Sequence, residues 1–474
     1  MAINPLAPDW LSLPADANAL AAGLWPATAT RTASGELSIG GVTASELANT
    51  FGTPLYVIDE ADARARANTL RTAFETEFAR IGTTAKVYYA GKAFLTTEIA
   101  RWMVADGLNI DICSGGELAV ALAAGVDPAI MGFHGNNKSL AEIDEATRIG
   151  IGTIVIDSPA EVERVAAAAA RHGIVQNVRL RVNSGVHAHT HEFLATAHED
   201  QKFGITLENA PTLVAAIRSH DSLRFLGLHC HIGSQIFGAD GFAESASRLL
   251  ALHAELLLTG PVPELNLGGG FGIAYTSADS PTPITELAAR IADIVAAECA
   301  SREIPLPAIA VEPGRAIIGP AGVTLYEVGT TKPVDVGGHP RLYVSVDGGM
   351  SDNARPALYG ADYSVRIASR VTEAEPVLVR VAGKHCESGD IVVDADYLPG
   401  DVTPGDLVAV AATGAYCWSL SNNYNYLGRP PVVAVTDGAA RLLVRGETIS
   451  DLLARDTGIT PASASASETK ESVR

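Results

Sequence analysis

The feature that most narrows the fold is an alternation that recurs eight times along the chain. Between residues 86 and 312, short apolar runs alternate with Ala/Glu/Arg-rich stretches of helical length. The apolar runs fall at 86–90, 109–113, 130–134, 153–157, 178–183, 225–231, 264–268 and 308–312. The helical stretches fall at 97–106, 116–124, 140–149, 159–172, 207–219, 241–258 and 284–301, and a longer one at 60–80 precedes the first strand. Strands covered on both faces read as continuous apolar runs, and parallel strands need a crossover of helical length. Eight such units, over the roughly 250 residues typical of the closed form, predict an α/β chain built on a (β/α)8 TIM-type barrel. An open doubly wound sheet is the rival architecture.

The alternation stops near Leu325. Short strands at 342–346, 377–382, 391–393, 407–411, 432–435 and 442–445, separated by Gly, Pro and Asp turns, predict a separate all-β domain. The expected division is a barrel at 59–325 and a β domain at 326–460. A segment at 36–58 is expected to pack with the β domain. In it, Thr43-Ala44-Ser45-Glu46 fits a capping box opening a short helix that stops near Gly52, ahead of a strand at 55–58. Residues 1–35, rich in Ala, Pro and Thr, read as a loosely attached extension, and 461–474, rich in Ser, Glu and Lys, as a disordered tail.

Charge and cysteine usage exclude several classes. The formal net charge of −20 over 474 residues argues against nucleic acid and anionic membranes, which attract basic patches. No run has the 18 or more apolar residues of a membrane span, and the N-terminus has no basic-then-apolar leader pattern. The five cysteines are scattered with no C-x-x-C, so neither a zinc site nor a disulfide framework is expected, and a reducing cytoplasm is the simplest location.

The unusual polar and glycine-rich residues cluster at the C-terminal ends of the predicted strands, which converge on one mouth in a barrel. The first strand gives Lys92 in Tyr88-Tyr89-Ala90-Gly91-Lys92-Ala93, and the second gives Asp111, Cys113 and Glu117. The third gives His134-Gly135-Asn136-Asn137-Lys138, and the sixth His229-Cys230-His231-Ile232-Gly233-Ser234. The seventh gives Gly268-Gly269-Gly270, and the eighth Glu312-Pro313-Gly314-Arg315. Lys92 taken alone is a solvated loop lysine; at a strand end it can be desolvated and form a Schiff base. The glycine run taken alone is a flexible turn. Beside Ser234 and Gly314 it fits a phosphate cradle, because backbone N–H groups without a Cβ approach an anion closely. A Schiff-base lysine with a phosphate cradle implies pyridoxal 5′-phosphate. Glu312 is the candidate partner of its ring nitrogen, His231 the cover of one ring face, and Asp111 a further support. Singly, His231 also reads as a hydrogen-bonded core histidine and Glu312 as a salt-bridge partner.

Taken in order, the motifs at 88–93, 231–235 (His-Ile-Gly-Ser-Gln), 266–272 (Asn-Leu-Gly-Gly-Gly-Phe-Gly) and 312–315 (Glu-Pro-Gly-Arg) resemble the fold-type III pyridoxal-phosphate decarboxylases, which are similar to alanine racemase in joining a barrel to a β domain. The resemblance runs from about Gly40 to Leu453. The stretch 346–359, which holds Asp347-Gly348-Gly349-Met350 and Arg355, and the stretch 386–390 look like the diaminopimelate decarboxylases within that group. The resemblance implies decarboxylation of meso-diaminopimelate to L-lysine in a homodimer whose active sites are shared between chains. It implies Lys92 and Cys386 as catalytic residues, Cys386 as a proton donor to Cα alternative to Lys92. It implies cofactor contacts from Lys92, Asp111, His231, Ser234, Gly269, Gly270, Glu312, Pro313, Gly314, Arg315 and Tyr416. It implies substrate contacts from Arg315, Arg355, Tyr359, Glu387 and Tyr416, with Arg315, Arg355 and Tyr359 on the distal carboxylate and Glu387 on the distal ammonium. Three alternatives stand beside this reading: a decarboxylase of another basic amino acid or polyamine precursor (ornithine, arginine or carboxynorspermidine type), a cofactor-carrying protein without activity, and, for Cys386, a buried structural thiol. His187, His189 and His191, at i, i+2 and i+4, could ligate a transition metal. The preferred reading is a loop after the fifth strand near the mouth, with no metal.

Overall fold

The computed structural model describes residues 4–186 and 202–458. The chain divides into two compact units, one of Asp62–Ala274 with Asp279–Pro320, the other of Met1–Ala61, Tyr275–Ala278 and Ala321–Arg474.

The first unit is a closed parallel barrel. Its strands are β1 (Ala85–Ala90), β2 (Asn109–Ile112), β3 (Met131–Phe133), β4 (Thr153–Ile156), β5 (Gln176–Asn183), β6 (Leu223–His229), β7 (Glu264–Asn266) and β8 (Ala308–Val311). Each pairs in parallel with the next, and Ile309 of β8 sits opposite Ala85 of β1, which closes the ring and rules out the open sheet. The helices between them start where the sequence places N-caps. The Ser139 hydroxyl accepts from Glu142 N–H while the Glu142 carboxylate takes the Ser139 N–H, a complete capping box, and Thr96 and Ser114 cap the same way on one side. Helix Pro159–Arg171 opens on a proline, whose missing N–H has no partner to lose at that position, and turns Val162, Val165 and Ala169 onto the barrel. Burying each valine stabilises by roughly 1.5–3 kcal/mol.

Because side chains alternate along a strand, residues two apart share a face. Register places Arg179, Gly227 and Glu264 side by side on β5, β6 and β7, and Arg181, His229 and Asn266 side by side two residues further on. The barrel interior is therefore polar in two successive levels, which continuous apolar runs do not foretell.

The second unit is β-rich. Gly322–Val336 is its spine, a 15-residue strand that pairs antiparallel with Leu55–Asp59, Leu407–Val410 and His339–Val346. The sequence reading put a domain change inside this strand and missed it, as it missed Val365–Ile367. Gly329 breaks the apolar pattern where the register shifts between Val328 and Thr330, so one strand looks like two fragments. The fully buried Leu55–Asp59 lies between Gly322–Val336 and Val432–Thr436, ahead of which Thr43 caps helix Ala44–Phe51 by accepting from Glu46 N–H. The reciprocal half of the expected capping box is not part of that cap.

The loose attachment expected of the segment before residue 36 is corrected. Leu11 is buried against Leu378, Ala395 and Tyr397, with Leu6, Ala7 and Trp10 around it. Arg366 donates to Ala19 O at 2.9 Å and Arg31 to Ile367 O at 2.8 Å. An Ala/Pro/Thr-rich composition signals lack of regular structure, but a few apolar anchors are enough to seat an irregular segment. The expected 461–474 tail lies outside the described residues.

Candidate active site

Lys92 stands in the single turn Gly91–Ala93 that follows β1 and is exposed. Its ammonium is close enough to contribute to the shifts of His231 and Asp111. His231, two residues past β6, accepts at Nδ1 from Gly269 N–H at 3.3 Å, which fixes a ring turned by the β7 loop. Burial first, then the Lys92 charge, hold its imidazole well below the ordinary histidine range.

The strand ends are held together through glycines. A Cβ on Gly269 would meet Glu312 O at 2.3 Å, and one on Gly314 would meet Ala90 O and the Ala93 side chain at 2.9 Å. Ala90 N–H donates to Pro313 O at 3.1 Å. Gly270 has φ +110, a conformation L side chains rarely adopt, and a Cβ there would meet Gly233 O at 2.5 Å. These glycines are therefore demanded by close backbone approach between the ends of β1, β6, β7 and β8. Beside them the Arg315 guanidinium donates to Ser234 Oγ at 2.8 Å.

Glu312, immediately past β8, is the centre of a buried cluster. Asn266 Nδ2 donates to its Oε1 at 2.7 Å. His229 Nε2 lies 3.1 Å from Oε1 and 3.2 Å from Oε2, and His134 Nε2 lies 3.4 Å from Oε1. His134 Nε2 is also 3.1 Å from Asp111 Oδ1. Gly132 makes room for that carboxylate, since a Cβ there would meet Asp111 Oδ1 at 2.4 Å. Burial pushes His134 and His229 down to about 4, so both imidazoles are neutral. Burial works to raise Glu312, but its histidine neighbours, His229 first, outweigh it and hold the carboxyl well below its usual range. Asp111 is pushed the other way, by burial and then by the Glu312 charge. Two carboxyls in one pocket with pKa values driven apart are the pattern of a functional site. The histidine nitrogens and the Glu312 carboxylate lie within 4.8 Å of one another, a donor set a transition metal could also take.

Sequence reading placed Asp111, His231 and Glu312 in this region but assigned no role to His134, His229 or Asn266. All three were visible at strand ends; the missing signal was the inward face they share with Glu312.

The β-rich unit holds the other expected residues. Arg355 is buried at the start of helix Arg355–Tyr359, with its guanidinium 4.6 Å from the Tyr275 ring centre and hydrogen-bonded to Tyr363 Oη at 2.5 Å. Tyr359, at the other end of that helix, is 68% exposed. Cys386 is exposed, against the reading of a buried structural thiol, and its N–H donates to Asn425 Oδ1 at 3.0 Å. Glu387 is exposed beside it, and its carboxyl is held below the usual range by the Gly389 N–H and then the Ser388 hydroxyl. The loop rests on Asp390, whose carboxylate takes the His385 N–H and ring nitrogen and the Met350 N–H. The Asp347-Gly348-Gly349 stretch is thus a brace for the Cys386 loop. Tyr416 adopts φ +62, uncommon outside glycine. The loop with His187, His189 and His191 lies outside the described residues.

Residues 63–319 match the family described as pyridoxal-dependent decarboxylase, pyridoxal binding domain. A diaminopimelate decarboxylase of Mycobacterium tuberculosis is 52% identical over 443 residues, 92% of this chain and 98% of that protein. The chain belongs to the diaminopimelate decarboxylase family. Another member, from Bacillus subtilis, is 43% identical over 89% of this chain and 95% of its own length. The crystal structure of diaminopimelate decarboxylase from M. jannaschii in complex with L-lysine superposes with a TM-score of 0.85 at 32% identity, covering 93% of this chain and 99% of that one. The family fixes the reaction class, a pyridoxal-dependent carboxy-lyase, and no helix among the described residues is long and apolar enough to cross a membrane.

Proposed function

We propose that the chain decarboxylates meso-diaminopimelate to L-lysine and CO2, with pyridoxal 5′-phosphate held in the barrel mouth. The observation that carries the reading is the set at the mouth: a lysine at the end of β1, an imidazole fixed by the β7 loop, and a buried carboxylate past β8. The pocket's chemistry fits that cofactor. Backbone N–H groups at residues 269 and 270, with Ser234, Gly314 and Arg315, suit a phosphate. Lys92 suits the aldehyde, the His231 ring suits a flat face, and Glu312 suits a protonated ring nitrogen; Asp111, Pro313 and Tyr416 complete the set. When bound, the cofactor supplies a sink for the electron pair left at Cα as CO2 departs.

The chain's own residues then divide the remaining work. Arg355, with Arg315 and Tyr359, takes the distal carboxylate of the substrate, since a guanidinium fork matches a carboxylate. Tyr275 and Tyr363 hold the Arg355 plane in one orientation. Glu387 takes the distal ammonium. Cys386 or Lys92 returns the proton to Cα. The buried guanidinium favours a substrate with a distal carboxylate over a diamine precursor. The protein works in the cytoplasm, without nucleic acid or membrane as partner. Cys386 and Glu387 serve the active site of a second copy of the chain in a homodimer.

The test is L-lysine release from meso-diaminopimelate with and without added pyridoxal 5′-phosphate, alongside Lys92→Ala. The expected result is cofactor-dependent lysine formation that Lys92→Ala abolishes together with the near-visible absorbance of the bound cofactor. Unchanged absorbance in Lys92→Ala removes the assignment of that lysine. Mixing Lys92→Ala chains with Glu387→Ala chains is expected to restore part of the activity; no recovery counts against shared sites.

A further inference from the structure

We propose that His229 is a positioning residue: as a neutral donor it holds Glu312 as an anion with one oxygen left open, so that the pocket selects a cofactor carrying a protonatable ring nitrogen. This rests on the reading of the mouth as a pyridoxal 5′-phosphate site and adds a residue to it.

The contacts of Glu312 are unequal on its two oxygens. Oε1 receives Asn266 Nδ2 at 2.7 Å and faces both His229 Nε2 at 3.1 Å and His134 Nε2 at 3.4 Å. Oε2 has only His229 Nε2, at 3.2 Å, among the described residues. A carboxylate oxygen has room for two donors, so Oε2 keeps one lone-pair direction. A further donor in that direction would complete the hydrogen bonding of the carboxylate.

The protonation of His229 follows from geometry. His229 presents Nε2 to Glu312, and its Nδ1 is buried with no hydrogen-bond partner among the described residues. A second proton on His229 would be an orphaned donor inside the barrel, so this ring is the neutral Nε2–H form. His134 Nε2 lies 3.1 Å from Asp111 Oδ1 and 3.4 Å from Glu312 Oε1 without a hydrogen bond to either, and its ring packs beside His229. The His134 and His229 rings meet edge to face, with centres 5.0 Å apart. Their burial, which pulls both toward about 4, agrees with this state. Arg181, beside His229 on β5, lies 3.8 Å from Asp157 Oδ1, and its charge also bears on Glu312 and disfavours a proton on either imidazole.

Neutrality is the point of the arrangement. Imidazolium partners would cancel the Glu312 charge and leave a ring nitrogen no reason to keep its proton. Neutral donors orient the carboxylate and pass its charge on to whatever N–H occupies the open direction. A site built around such a hydrogen bond rejects an analogue that lacks it, here by roughly 10²-fold or more.

The experiment compares apoprotein binding of pyridoxal 5′-phosphate with that of its analogue bearing C–H in place of the ring nitrogen, each followed by near-visible absorbance. Wild type is expected to prefer the natural cofactor by roughly 10²-fold or more. His229→Phe is expected to reduce that preference roughly tenfold or more, and His229→Gln, which keeps a neutral donor, to restore most of it. With the ring nitrogen ¹⁵N-labelled, its resonance is expected to report a protonated nitrogen in wild type and His229→Gln, and a deprotonated one in His229→Phe. A His229→Phe variant that keeps the wild-type preference and a protonated nitrogen overturns the proposal while leaving the cofactor reading intact. Imidazole ¹⁵N resonances of wild-type apoprotein at pH 7 give a check that needs no variant: His229 is expected as the neutral Nε2–H tautomer, and an imidazolium there overturns the proposal. Wild type that binds neither compound sinks the cofactor reading itself, a distinct result.

Discussion

At the level of Arg179, Gly227 and Glu264 the barrel interior holds ion pairs; two residues further along the same strands His229 and Asn266 present neutral donors to Glu312, just past β8. In the deeper level Arg179 meets Glu264 at 2.7 Å, Lys86 meets the same carboxylate at 3.0 Å, and the Tyr88 hydroxyl accepts from Arg179 at 3.3 Å. Every charge there has a partner from the chain itself. In the upper level Glu312 is hydrogen-bonded by Asn266 and His229, neither of which carries a charge at neutral pH, while the Arg181 cation of that level lies 3.8 Å from Asp157 Oδ1. Arg179 and His229 are both buried, so burial alone does not distinguish a structural polar layer from a binding layer. The distinction lies in whether the charge is matched before a ligand arrives.

The deeper level is where the comparison breaks most visibly. Arg179→Met leaves the Glu264 carboxylate short of its main partner, and removing one side of a buried ion pair costs about 3–5 kcal/mol. Urea unfolding is expected to show that loss, and adding Glu264→Leu to return most of it, because an apolar pair of similar volume replaces two desolvated charges. A single variant as stable as wild type shows that the deeper pair is not a structural tie. The upper level predicts a smaller loss. Glu312→Gln keeps the shape but gives up a carboxylate that the fold favours as an anion, so stability is expected to fall by about 1 kcal/mol, while decarboxylase kcat falls roughly 10²-fold or more. A stability loss as large as that of Arg179→Met makes Glu312 a structural residue and erases the contrast.

Much of this molecule is legible before folding. The eight strand positions, the helices between them, and Lys92, His231 and Glu312 at strand ends follow from period, length and turn chemistry. What is lost depends on which side chains face one another across strands far apart in sequence. His229 and Asn266 look like ordinary strand-end polar residues until register puts them side by side, next to Glu312. Gly322–Val336 was lost for a local reason, its Gly329 bulge. The Asp347-Gly348-Gly349 run carried family resemblance, yet nothing in it announced that Asp390 would clamp it. Arg355 was visible as a motif residue, but its burial against Tyr275 needed the fold.

Acid separates the two levels by the pH at which each gives way. The folded pKa values of His134 and His229, about 4, lie below the ordinary 6.5, so the unfolded chain binds more protons in between. Their contribution is therefore complete above about pH 6.5 and is lost as pH falls toward about 4, at about 1.4 kcal/mol per pH unit for each histidine. Glu264, whose carboxyl is held below its ordinary 4.5, contributes above that value and is lost only at lower pH. Asp111 works in the opposite sense, because its raised pKa favours the fold at low pH and withdraws that support as pH rises above 3.8. His253, also near 4, adds the same slope as the site histidines from outside the cluster. The informative quantity is thus the difference between wild type and His229→Gln, measured by thermal unfolding from pH 7.5 to 4. The variant is expected to lose one histidine's slope between 6.5 and 4, whereas Arg179→Met is expected to shift the whole curve with that slope unchanged. Equal slopes in wild type and His229→Gln mean that His229 is already protonated in the folded protein, and the upper level is then matched in charge like the lower one.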